Sequence, residues 1–119
     1  MHALDILWQN EGMLSEHEIQ AAAKALLAAA PAGSRVVLFG SFARGAQRPD
    51  SDLDFLVIEP AVKDRFAETH RLRRAVEAAF GDTVQPVDII VTDEARYLRS
   101  KDTPNTLAFE AATSGRTYG

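Results

Sequence analysis

The sequence predicts a mixed α/β (α+β) domain with a small sheet flanked by helices. Three short apolar runs carry that reading: Arg35–Phe39 (RVVLF), Leu53–Ile58 (LDFLVI) and Val87–Val91 (VDIIV). They are rich in β-branched residues and bounded by Gly, Pro or Asp, as strands are. Helical patterns precede, separate and follow them, in the order helix, strand, strand, helix, strand, helix. The chain of 119 residues, 46% of them hydrophobic, suffices for one domain with a real core and leaves little room for a second.

Taken in order, residues 3–10 allow a short helix with Leu4, Leu7 and Trp8 on one side, ending at Gly12. Trp8 and its neighbours suit core packing or a subunit contact. Ser15-x-x-Glu18 is a capping box, so a helix starts there and runs through an alanine-rich segment to about Ala30, where Pro31 and Gly33 stop it. RVVLF is followed directly by Gly40 and Ser41, a turn, then one helical turn over Phe42–Gly45 and a polar loop from Ala46 to Ser51. Pro60 closes the second strand. A long helix spans about Val62–Phe80, with Val62, Phe66, Val76 and Phe80 at helical spacing. After the third strand, Thr92 or Asp93 caps a short helix through Leu98, and a last helix covers about Pro104–Thr113 before Gly115.

Composition excludes several classes. No apolar run is long enough to span a membrane, and MHALDILWQNEG lacks the cationic start of a signal peptide. The absence of cysteine removes disulfides and thiolate metal sites and suits a reducing cytoplasm. A net charge of −4 disfavours indiscriminate binding to nucleic acid, whose affinity rests on cationic contacts to phosphate.

The chemistry is concentrated between Gly40 and Asp88. Asp52 and Asp54 are alternate residues of a strand, so their carboxylates share a face. That face continues with Leu56 and Ile58, while Leu53, Phe55 and Val57 take the other. Side by side the two charges repel, and a divalent cation with oxygen preference relieves the conflict. Asp88 stands inside an apolar strand, where a charge is costly unless paired. It faces water if VDIIV is an edge, or joins the other two carboxylates if VDIIV lies beside LDFLVI. Upstream, Gly40 permits close approach of the backbone to a ligand, amides opening the next helical turn can point at phosphate, Ser41 adds a hydroxyl donor and Arg44 a positive charge. Each fragment alone is ordinary.

Together, GSFARG, SDLDF and VDII resemble the DNA polymerase β-like nucleotidyltransferase superfamily, whose signature is G-S, a loop, D-x-D, and a later acidic strand residue. The short chain resembles its minimal nucleotidyltransferase group, and FEAATSGRTYG is similar to that group's closing helix and terminal tyrosine. The resemblance covers about residues 15–118, a single domain over 15–119, with residues 1–14 as an extension of no assigned role. It implies the polymerase β-like nucleotidyltransferase fold. Gly40 and Ser41 would hold the β- and γ-phosphates of ATP or another nucleoside triphosphate, with Arg44 assisting. Asp52 and Asp54 would bind two magnesium ions. Asp88 would complete one metal site and activate the acceptor hydroxyl. Members of this group are often antitoxins that attach AMP to a tyrosine of a HEPN-domain ribonuclease toxin, which implies a partner protein and a hetero-oligomer, with neither membrane nor duplex DNA bound. Two alternatives stand beside this: an antitoxin that blocks its partner by contact alone, and transfer to a small molecule.

Other residues suggest less. His70, Arg71, Arg73 and Arg74 crowd the long helix, where Glu68 and Glu77 can pair with them, so a solvated face is expected, with Arg73 on the apolar stripe snorkelling or meeting a carboxylate. His2, His17 and His70 have no metal-ligand spacing.

Overall fold

The computed structural model describes residues 16–40, 43, 45, 53–80 and 87–118. The expected helix at 3–10, the Ser15 cap and the loop at 46–51 lie outside them. The described elements are α1 (Glu16–Ala29), β1 (Arg35–Phe39), β2 (Leu53–Glu59), α2 (Arg65–Phe80), β3 (Val87–Asp93), α3 (Glu94–Ser100), α4 (Leu107–Ser114) and β4 (Arg116–Tyr118).

The strands form one mixed sheet in the order β3-β2-β1-β4. β1 runs antiparallel to both β2 and β4, whereas β2 and β3 are parallel. A parallel pair needs a crossover, and α2 supplies it.

Two apolar layers follow from the period-2 pattern. Val36, Leu38, Leu53, Phe55, Val57, Ile89 and Val91 turn to one face and pack on Ile19, Ala22, Ala23 and Leu26 of α1 and Leu72 and Val76 of α2. Val37, Phe39, Leu56 and Ile58 turn to the other and pack on Tyr97 of α3 and Ala111 of α4. The alanines of α1 let that helix lie close to the sheet, so the first layer is dense: seven of its side chains, from Leu26 to Leu72, show no exposure at all. Among the described residues the second face is covered only in part, by two short helices.

Several boundaries differ from the sequence reading. α2 begins at Arg65, not Val62, because the Asp64 carboxylate accepts from Ala67 N–H at 3.1 Å and sets the start there. Phe66 sits on the solvent side, 76% exposed with its ring edge-on to His70, whereas Leu72 and Val76 are buried. Arg71 pairs with Glu68, as the solvated-face reading expects. Arg73 meets a backbone carbonyl and not a carboxylate, donating to Val87 O at 2.9 Å. α4 starts at Leu107, after Thr106, whose hydroxyl accepts from Phe109 N–H. β3 runs on to Asp93, which caps α3 by accepting from Arg96 N–H at 2.8 Å. β4 was not expected: Gly115 turns the chain straight from α4 onto β1, and Arg116 pairs with Glu16 of α1.

Candidate active site

The site grows from the register of three strands. Phe39, the last residue of β1, lies opposite Asp54 of β2, and Asp54 lies opposite Asp88 of β3. Register-matched residues on neighbouring strands point to the same face and stand about 5 Å apart. Asp54 and Asp88 therefore rise side by side on the face that carries Leu56 and Ile90. Asp88 is exposed and Asp54 partly so. β3 is the edge of the sheet, so both readings of Asp88 meet here: it faces water and it also stands beside Asp54. The burial cost that singled it out in the sequence does not operate at this exposed position.

Gly40 closes the other side. Its φ of +76° is in the left-handed region that favours glycine, and a Cβ placed there would come 2.5 Å from Asp54 Oδ2. The bare backbone thus leaves room directly against one carboxylate. Its N–H donates to Glu110 Oε2 of α4 at 3.0 Å, a contact between residues 70 apart in sequence. Glu110 ties α4 to the start of the glycine turn, which the sequence reading did not foresee. Its one sequence signal is an acidic residue inside the otherwise small and apolar LAFEAATS. On the opposite flank, Arg73 reaches from α2 to the carbonyl of Val87 and holds the beginning of β3 beside Asp88.

Of the residues picked out from sequence, Gly40, Asp54 and Asp88 are brought together; Ser41, Arg44 and Asp52 lie outside the described residues. Among the described residues no group of three or more His, Cys, Asp or Glu forms a metal cluster. The donor set present, two carboxylates facing one way with a side-chain-free backbone against them, fits a hard divalent cation.

The chain matches a family model, described as a nucleotidyltransferase domain, over residues 19–110. The chain belongs to the nucleotidyltransferase domain family. No curated protein matches it. Among solved structures, it is similar to a mutant of the toxin–antitoxin MntA–HpeT in which a tyrosine is replaced by alanine, with 27% identity, a TM-score of 0.58, and 90% of this chain and 73% of the other covered. A second MntA–HpeT mutant, with two aspartates one residue apart replaced by glutamate, shows 25% identity and a TM-score of 0.59 over 89% and 74%. A toxin–antitoxin with AMP-PNP shows 27% identity and a TM-score of 0.55 over the same shares. The nucleotidyltransferase fold expected from GSFARG, SDLDF and VDII holds.

Proposed function

We propose that this nucleotidyltransferase domain moves AMP from ATP to a hydroxyl of a partner toxin and thereby neutralises it. The observation that carries this is the side-by-side placement of Asp54 and Asp88 against the Gly40 backbone. The toxin–antitoxin setting of the similar structures, one of them with AMP-PNP, supports the partner and the nucleotide. A tyrosine of a HEPN-domain toxin is the acceptor that the sequence resemblance favours.

In this reading the turn at Gly40 and Ser41 takes the β- and γ-phosphates, with Arg44 balancing their charge. Asp52, Asp54 and Asp88 would hold two magnesium ions, which would neutralise and orient the phosphates. The acceptor oxygen bonds to the α-phosphorus while the bond from that phosphorus to the bridging oxygen breaks, releasing pyrophosphate. Asp88, exposed at the sheet edge, would take the hydroxyl proton. Among the described residues no helix is long and apolar enough to cross a membrane, and the lack of cysteine suits a reducing cytoplasm.

The test is incubation with magnesium, α-labelled nucleoside triphosphates and the toxin encoded beside it. Label on the toxin that Asp54→Asn abolishes supports transfer. Neutralisation that survives Asp54→Asn, in an intact complex, shows an antitoxin acting by contact alone.

A further inference from the structure

Between α3 and α4, over Leu56 of β2 and the second half of β3, lies a cavity of about 320 Å³. None of Gly40, Asp54 or Asp88 lines it, and it runs along the strands away from them, from Leu56 and Ile90 toward Thr92. Its volume falls at the small end of the range for small-molecule sites. Leu56, Ile90 and Leu107 give it an apolar floor and wall, and Arg65, Arg96 and Arg99 line it from α2 and α3.

The pairing of these arginines calls for a ligand. Arg35, Arg71 and Arg116 each meet a carboxylate within 2.7 Å. Arg65 and Arg99 meet none among the described residues, and Arg96 reaches the Asp93 carboxylate only at 3.7 Å. A chain of net charge −4 thus gathers three guanidinium groups round one apolar floor and leaves two of them without a counter-charge. Such a gathering raises the local positive potential and draws an anion. Thr92 and Ser100 add hydroxyl groups to the lining.

Floor and rim together select the ligand. A wholly apolar molecule leaves the guanidinium groups uncompensated, and a bare inorganic anion leaves the floor wet. A flat apolar body with a phosphate at one end answers both, since several guanidinium groups match a phosphate dianion better than a single carboxylate. We propose that this cavity is a second ligand site, which takes a small organic phosphate monoester. The apolar body lies on Leu56, Ile90 and Leu107, and the phosphate faces Arg65, Arg96 and Arg99. The site is separate from the carboxylate pair and does not rest on the nucleotidyl-transfer reading.

The probe is naphthyl phosphate, titrated without metal into the isotope-labelled full chain and followed by backbone amide shifts. Inorganic phosphate and naphthol, its two halves, are titrated beside it. Shifts are expected at residues 90–92, 96–100 and 106–108, which border the cavity. The intact probe should bind about tenfold or more tighter than either half. Arg65→Gln/Arg99→Gln should weaken it by about tenfold and leave AMP-PNP affinity unchanged. The proposal is overturned if the probe does not bind, if either half binds as well, if the shifts centre on Gly40, Asp54 and Asp88, or if the variant holds the probe as the parent does. Loss of AMP-PNP in the variant overturns it too, since the arginines would then belong to the nucleotide site. Should the double variant fold poorly, Arg99→Gln alone decides, with a loss of about threefold expected. Labelled-AMP transfer to the toxin is independent of all this: its failure removes the enzymatic reading and leaves the second site standing.

Discussion

β2 carries an acidic residue at each end, and the two are treated in opposite ways. Asp54 stands on the partly open face, beside Asp88 and against the bare Gly40 backbone. Glu59 turns to the dense face and is 2% exposed, with Glu68 and Arg71 of α2 as its charged neighbours. Burial, then a hydrogen bond and like charge from Glu68, push the Glu59 carboxyl up to about 8, and its Oε2 has no hydrogen-bond partner among the described residues. Glu68 shifts down, held by its hydrogen bonds with Arg71 and Glu59. One carboxyl group is thus kept protonated inside the fold, while the other is presented to the solvent side. A strand of seven residues separates a partly exposed acid from a buried one.

Substitutions sharpen that contrast. Asp54→Asn should reduce nucleotidyl transfer by about a thousandfold while leaving stability within about 0.5 kcal/mol, read by labelled-AMP transfer and thermal melting. A parallel loss of stability would show that Asp54 is a structural acid like Glu59. Gly40→Ala should cost about 1–3 kcal/mol and about a hundredfold in transfer, since the added carbon strains the left-handed backbone and displaces the Asp54 carboxylate.

Glu59→Gln should leave transfer within about twofold and change the pH profile of stability instead. Because the folded carboxyl binds its proton more tightly than the unfolded one, wild-type stability is full below about pH 4.5 and declines toward pH 8. The glutamine variant should lack this decline and melt higher at pH 8. An unchanged slope would mean that Glu59 is ionised in the fold. A more local effect is expected at Glu110→Ala. It removes the acceptor for Gly40 N–H and should weaken AMP-PNP binding by about fivefold, measured by calorimetry, with Glu110→Gln closer to wild type.

Much of this was legible in the sequence because strands and turns are local. RVVLF, LDFLVI and VDIIV announce themselves by β-branched residues, and GS and D-x-D lie within the turn and strand they define. What was not legible depends on distance. β4 is three residues, Arg116–Tyr118, with no pattern of its own; β1 makes it a strand by offering an edge. Phe66 lies near the start of α2, and only the packing of that helix on the sheet, through Leu72 and Val76, decides which stripe is buried. Glu110 acquires meaning only once α4 folds across the sheet. For Ser41, Arg44 and Asp52 the sequence remains the source of the assignment.

Gly115 has a practical consequence. A side chain there would lie 2.5 Å from both the Ala111 carbonyl and Val37 Cγ1, and 3.0 Å from the Leu38 carbonyl. There is no slack where α4 hands over to β4, so any larger residue lifts the helix that carries Glu110 and Leu107. A saturation library scored only by toxin neutralisation would therefore rank position 115 with Asp54 and Asp88. Scoring cellular abundance alongside separates them: variants at 115 should vanish from the soluble pool, whereas variants at Asp54 should persist as intact, silent protein.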